Sequence, residues 1–191
     1  MNTPARLALS LAASFALASP GLAEDKAAGG ADPMAGWTPR VVKNEKQDRQ
    51  QIEAFLKQME AASTRGDIDA AAAIIDFPIL MVTDNARGEG GGEEWNREQW
   101  LQVMRPFYAK PMPPGSQVPG KRTIVLVSDS LALVGAGWTM KMGPKKVSGT
   151  SGLLLVRKGG EWKAKAMVEG GWGDMPMPGT AQGAATPGTA K

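Results

Sequence analysis

The chain has 191 residues, with 22 Lys and Arg against 19 Asp and Glu, and it contains neither cysteine nor histidine. The missing Cys excludes disulfides, thiolate chemistry and Cys-based metal sites, and the missing His removes the usual proton carrier near neutral pH. The formal charge of +3 comes from scattered basic residues, not the clustered basic face with interleaved aromatics that nucleic-acid binding needs, so no nucleic-acid partner is expected.

The first stretch, MNTPARLALSLAASFALASPGLA, joins one Arg, an apolar run from Leu7 to Leu17 and a small-residue site before Glu24. That three-part pattern is a secretory signal peptide over residues 1–23. The run is shorter than the ~20 apolar residues a bilayer span requires, and Ser10, Ser14 and Pro20 interrupt it. The expectation is cleavage after Ala23 and a periplasmic or extracellular protein with no membrane span. Residues 24–41 and 175–191 are rich in Ala, Gly, Pro and Thr, offer little to bury, and are expected to be a disordered linker and tail around one folded domain at 42–174.

From Val42 to Arg65 the residues Ile52, Phe55, Leu56 and Met59 recur at helical spacing, predicting an amphipathic helix stopped by Gly66. Asp67 can cap a second, shorter helix through IDAAAAII, ended by Pro78. Ile79 to Thr83 then reads as a buried strand and DNARGEGGG as an exposed turn. Asn96, with Gln99 three residues on, approaches a capping box for a third helix. That helix carries Trp100, Leu101, Met104, Phe107 and Tyr108 on one side, and Pro106 should kink or end it near Arg105. A proline-rich loop, KPMPPGSQVPGK, follows. Beyond it the period changes to two: Arg122 to Val127, Leu131 to Met142, Val147 to Arg157 and Trp162 to Gly170 are strands of an antiparallel meander.

A two-residue turn at Gly159-Gly160 would pair Leu155 with Ala164, Leu153 with Ala166 and Ser151 with Val168. A turn at Pro144-Lys145 would set Ser151 opposite Trp138 and Gly149 opposite Met140. One face then carries Val134, Ala136, Trp138, Met140, Ser151, Leu153, Leu155, Ala164, Ala166 and Val168, and is apolar almost throughout. The other carries Gly135, Gly137, Thr139, Lys141, Ser148, Thr150, Lys163, Lys165 and Glu169, which water or a partner subunit can accept. Helices first and a curved antiparallel sheet afterwards is an α+β layout in which the helices cover the apolar face.

The helix with IxxFLxxM, the run GDIDAAAAI into FPILMVTD, the helix at NREQWLQVM, and then LALVGAGWTM, GLLLVRKGGEW and KAKAMVEGGW together resemble the nuclear transport factor 2-like superfamily, specifically its SnoaL-like proteins. The resemblance spans roughly Lys43 to Trp172 and rests on element order and the KGGEWK signature. It implies a cone: three helices packed on a strongly curved antiparallel sheet, with an internal pocket. It also implies a wide choice of function, from isomerases, dehydratases and cyclases to domains without catalysis, so the residues must decide. Enzymes of the superfamily often carry a His, Asp or Tyr inside the cone, commonly a His on the last strand. Here the corresponding positions are Ala164, Ala166 and Val168.

Two readings follow. In the first, the protein is an exported, non-catalytic binding or accessory domain whose cone is packed shut or takes a small hydrophobic molecule. Its lining would be Phe55, Met59, Trp100, Met104, Trp138, Met140, Ser151, Val168 and Trp172, with Ser151 as the polar group that orients the guest. Eleven methionines would make such a lining deformable. In the second, it is a lyase or isomerase of the ketosteroid isomerase-like type, using Glu169 swung inward by a bulge, or Asp174, with Tyr108 as hydrogen-bonding partner and one acid of raised pKa. Either is compatible with a homodimer through the outer sheet face. The acids Glu89, Glu93 and Glu94 lack calcium-loop spacing and GEGGG is no phosphate loop, so neither metal nor cofactor is expected. Within MVEGGWGDM, Trp172 should lie across the mouth of the cone with Asp174 at its rim, or plug the end of the core.

Overall fold

The computed structural model describes residues 34–110, 117–142 and 144–175; the expected signal peptide, most of the expected linker and nearly all of the expected tail lie outside them. The chain divides after Thr38. In the first unit the described part is a turn, closed by the Trp37 N–H on the Met34 carbonyl at 3.0 Å.

The second unit begins its regular structure with helix α1, Glu45–Arg65. It starts at Glu45, not at Val42, and ends as expected at Gly66, whose φ of 68° is the left-handed conformation that glycine adopts without cost. The apolar stripe buries Ile52, Phe55, Leu56 and Ala62. Helix α2, Ile68–Ala73, is capped by the Asp67 carboxylate, which accepts from the Ala70 N–H at 3.0 Å. It stops before the expected IDAAAAII run is complete, because the Ile74 carbonyl accepts from Ala164 N–H and Ile75 opens strand β1, Ile75–Asp84.

Next comes strand β2, Gly90–Trp95, where a turn was expected. The exposed turn is confined to the residues just after Asp84; Gly90, Gly91 and Gly92 are strand residues paired with Asp84, Thr83 and Val82. Helix α3, Arg97–Tyr108, has the full capping box between Asn96 and Gln99. It runs through Pro106 instead of ending at Arg105, and the turn beyond closes with Ala109 N–H on the Arg105 carbonyl. Phe107, expected on the inner side, is 54% exposed.

Strands β3, Gln117–Leu126, β4, Leu131–Met142, β5, Lys145–Lys158, and β6, Glu161–Glu169, form the predicted meander, except that β3 opens at Gln117, within the stretch expected to be a proline-rich loop, because Gln117, Val118 and Pro119 already pair with β4. The six strands lie in the order β2-β1-β6-β5-β4-β3 in one curved, unclosed sheet. Every pairing is antiparallel except β1 with β6. The layout is α+β, as the sequence predicts.

Helix residues Ile52, Phe55, Leu56, Trp100 and Val103 and sheet residues Ile79, Met81, Val134, Leu153, Leu155, Trp162 and Ala164 bury one another in a continuous cluster. Each fully buried large aliphatic or aromatic side chain contributes about 1.5–3 kcal/mol of transfer free energy. Polar ties fix α1 over the sheet as well. Arg157 lies across the Trp162 ring at 4.5 Å, and its Nη2 donates to Asp48 Oδ1 at 2.5 Å and to Gln51 Oε1 at 2.8 Å. Arg122 pairs with Glu53 and Glu60, and Arg49 Nη1 donates to the Ile124 carbonyl.

Two registers differ from expectation. Between β4 and β5 Met142 pairs with Lys145, so Ser151 faces Ala136 and Gly149 faces Trp138. The slip is two residues, an even number, and each side chain keeps its face. Between β5 and β6 the ladder follows the expected pairs to Leu155 and Ala164, then jumps: Leu154 faces Ala166, Leu153 faces Met167 and Ser151 faces Glu169. The expected pairs of Leu153 with Ala166 and of Ser151 with Val168 are therefore absent. An odd slip exchanges the two faces.

The outer face is less polar than the sequence reading made it. Val125, Leu133, Leu154, Ala166 and Leu80 form a transverse row, each opposite the next across β3, β4, β5, β6 and β1. Val125, Leu133 and Leu80 of that row are exposed.

Candidate functional site

The odd slip in β6 creates the site. Lys165 is the extra residue, left without a partner between the pairs Ala164–Leu155 and Ala166–Leu154, so the strand carries a bulge there. Beyond the bulge, Met167 joins the helix-covered face opposite Leu153, and Glu169 takes the same face opposite Ser151. Val168, expected in the pocket lining, is instead on the outer face and 45% exposed. Glu169, expected in the wet outer phase, has exchanged places with it.

Burial pushes the Glu169 carboxyl above the ordinary carboxylate range, and the neighbouring Trp138 indole N–H offsets part of that shift. The Trp138 Nε1 is buried and does not reach full hydrogen-bond geometry with any group. Its ring lies over Gly149: a methyl group there would come within 2.7 Å of Trp138 Cε2. Gly149 thus makes room for the ring that faces Glu169. Among the described residues no Lys or Arg pairs with Glu169.

Because the folded-state pKa of Glu169 is raised, its burial is tolerated while the carboxyl is protonated and opposed once it ionises. The folded state binds the extra proton between the unfolded and folded pKa values, so stability falls as pH rises through that window. Glu169→Gln should therefore match the parent in stability below the ordinary carboxylate range and exceed it above the folded pKa. Urea denaturation of both proteins at a series of pH values reads this directly; a gap independent of pH would show that the carboxyl is not desolvated.

The remaining candidates separate. Phe55 and Trp100 are buried in the core, and Met59 and Met104 pack against it. Met140 faces Val147, and the Trp138–Gly149 pair lies between it and Ser151 in the ladder. The Tyr108 ring packs on Trp100 at 6.1 Å between centroids, and burial raises its hydroxyl pKa. Trp172 packs against Trp95 with centroids 5.9 Å apart, so it closes the end of the core. Asp174 is exposed and its carboxylate accepts from the Ala86 N–H at 2.7 Å.

The glycines of EGGWGDM serve this closure. Asp84 Oδ1 accepts from Gly171 N–H at 2.6 Å, and the Asp84 carbonyl accepts from Gly173 N–H at 3.0 Å. A Cβ on Gly173 would fall 2.6 Å from that carbonyl oxygen. The segment is a clasp over the end of β1 that seats Trp172. Sequence reasoning missed Asp84, Trp95 and Lys165 as the residues that build this corner. One signal was present: an unbroken strand phase would have exposed Met167, which a bulge at Lys165 buries.

No family model and no curated protein matches the sequence. Solved structures do. An NTF-2 like protein of unknown function from Shewanella oneidensis MR-1 superposes with a TM-score of 0.53 at 19% identity, covering 64% of this chain and 98% of its own. A protein from Novosphingobium aromaticivorans DSM 12444, provisionally named a scytalone dehydratase, gives 0.51 at 15% identity over 66% of this chain and 85% of its own. The association domain of C. elegans CaMKII gives 0.50 at 10% identity over 66% and 98%.

The chain has the nuclear transport factor 2-like fold. At these identities the likeness is one of fold alone. Within the nuclear transport factor 2-like sheet of this protein, the polar residues that meet on the helix-covered side are Glu169 and Ser151, with Trp138 beside them. They can hold and orient a polar group of a small molecule. Among the described residues no cluster of carboxylates is arranged to hold a metal ion.

Proposed function

We propose that this protein is an exported binding domain that takes a small, largely apolar molecule on the helix-covered face of its sheet, oriented by Glu169, Ser151 and the Trp138 N–H. The observation that carries the reading is the Lys165 bulge, which turns Glu169 inward opposite Ser151. A half-buried carboxyl with no cation beside it lowers stability, and a site that keeps such a group uses it on something other than its own fold. The signal-peptide pattern of residues 1–23 supports export.

Native mass spectrometry of the chain purified from a periplasm tests this. A stoichiometric adduct is expected that disappears on denaturation and is absent from Ser151→Val and Trp172→Ala. A clean apo mass under gentle ionisation would overturn the binding reading.

One observation favours a second reading, an isomerase or lyase in which Glu169 takes a proton from the bound molecule. Desolvation raises its pKa toward the working range of a general base, and Tyr108 carries a half-buried hydroxyl that could donate to the reacting oxygen. The likeness to a protein provisionally named a dehydratase is compatible with it. Asp174, exposed and engaged with Ala86, is the weaker acid for the role. As partner we assign a second copy of this chain to the apolar outer row, whose exposed Val125, Leu133 and Leu80 a matching row would cover. The likeness to an association domain supports that assignment.

A further inference from the structure

Strand β6 holds one residue more than β5 can pair, while on its other side β1 carries four residues, 76–79, across the step that β6 makes with Lys165 alone. Against β5 the ladder runs from Leu155–Ala164 to Leu154–Ala166, and against β1 from Ile75–Ala164 to Leu80–Ala166. Both ladders skip Lys165. An extra residue with nothing to pin it can settle at a neighbouring position, and each position it passes changes face. If it settled beyond Glu169, Ala166 would pair with Leu153 and Val168 with Ser151, and Glu169 would turn outward.

Lys165 is pinned. Its Nζ donates to the Pro78 carbonyl at 2.6 Å and to the Asp76 carbonyl at 3.4 Å, and lies 3.6 Å from Asp76 Oδ2. The Asp76 carboxylate is held in turn by Lys158 at 2.6 Å, and Lys163 donates to the Ala73 carbonyl at 2.9 Å. The acceptors for Lys165 belong to the stretch of β1 between Ile75 and Leu80 where the parallel register is itself interrupted. The two irregularities face each other, and the ammonium joins them. No apolar residue at 165 could make these contacts.

We propose that Lys165 is the positioning residue of the site: by binding the carbonyls of Asp76 and Pro78 it fixes the bulge in place and so holds Glu169 on the helix-covered face. The proposal rests on Glu169 being the polar group of the site, as argued above. Lys165 touches no guest. It sets which way another residue points.

The test is a carbon-detected NMR titration of the Glu169 carboxyl in the full chain, in the parent and three variants. In Lys165→Met the midpoint should fall to the ordinary carboxylate range, with loss of any native-mass adduct. Lys165→Arg, which keeps donors for the carbonyls, should retain the raised midpoint. Deleting Lys165 removes the extra residue itself, so the ladder becomes regular with Glu169 still opposite Ser151 and its midpoint still raised. The deletion decides the matter even where Lys165→Met does not fold.

A lysine that only stabilised the fold would behave otherwise. Lys165→Met would melt earlier with the Glu169 titration unchanged, or the deletion would turn Glu169 outward, and either result would overturn the proposal. If the parent carries no adduct while the titrations follow the expected pattern, the binding reading fails and the positioning role stands.

Discussion

Asp48→Ala should lower the free energy of unfolding by about 3 kcal/mol in urea denaturation at neutral pH, the low end of the range found when one partner of a buried ion pair is removed, because the Arg157 side chain keeps 23% of its exposure. Asp48 is 2% exposed and sits one helical turn before Ile52, on the stripe of α1 that faces the sheet. Its Oδ1 accepts from Arg157 Nη2, while Oδ2 and Arg157 Nε are buried without partners of their own. Truncation would leave a part-buried guanidinium over Trp162 with the Gln51 side-chain Oε1 as its remaining side-chain acceptor. The expense lies in the stranded charge more than in the lost contact. A double variant, Asp48→Leu with Arg157→Met, should recover most of the loss, because it removes both charges and keeps the volume. A double variant as unstable as the single one would mean that α1 needs the pair for its orientation, not for its charge balance.

Gly149→Ala should destabilise the protein by about 1–3 kcal/mol, the usual range for forcing a methyl into a packed position. The new methyl would overlap the six-membered ring of Trp138, with Cε2 at 2.7 Å and Cη2 at 3.0 Å. An indole has two torsions with which to escape, so the ring must leave its place over β5. The N–H beside Glu169 goes with it. Near-ultraviolet circular dichroism should lose the contribution of an ordered tryptophan, and the native-mass adduct should vanish. Gly135→Ala is the control, since no atom lies within 4 Å of a methyl there. If Gly149→Ala keeps both the spectrum and the adduct, Trp138 does not belong to the site.

Much of this architecture was legible because its signals are local. The stripe of α1, the Asn96 and Gln99 box of α3 and the four strands of the meander each declare themselves within a short window. Strand β2 did not, because Gly90, Gly91 and Gly92 have no side chains to show a period and are held in the sheet by backbone pairing alone. The β4–β5 turn was placed off its true position without harm, since an even shift preserves the faces. The β6 bulge could not be passed over so lightly: one unpaired lysine reverses Val168 and Glu169 and with them the reading of the site. The acceptors that fix it, on Asp76 and Pro78, lie 89 and 87 positions away in sequence. Asp48 stood in plain view on the apolar stripe, but its partner is 109 residues further on. Pairings across such distances leave no trace in a single sequence.

The strand order has a consequence for how the chain is assembled during synthesis. Among the described residues strand β6 is the last in chain order to leave the ribosome, yet it lies in the interior of the sheet, between β1 and β5. Until it arrives, the β1–β2 hairpin can close on itself and the meander from β3 to β5 can form, but no backbone ladder joins them. A nascent chain halted before Glu161 would hold two separate pieces of sheet beneath the helices. Completion is therefore a single late event, in which insertion of β6 unites the two halves, seats Trp162 beneath Arg157 and turns Glu169 inward.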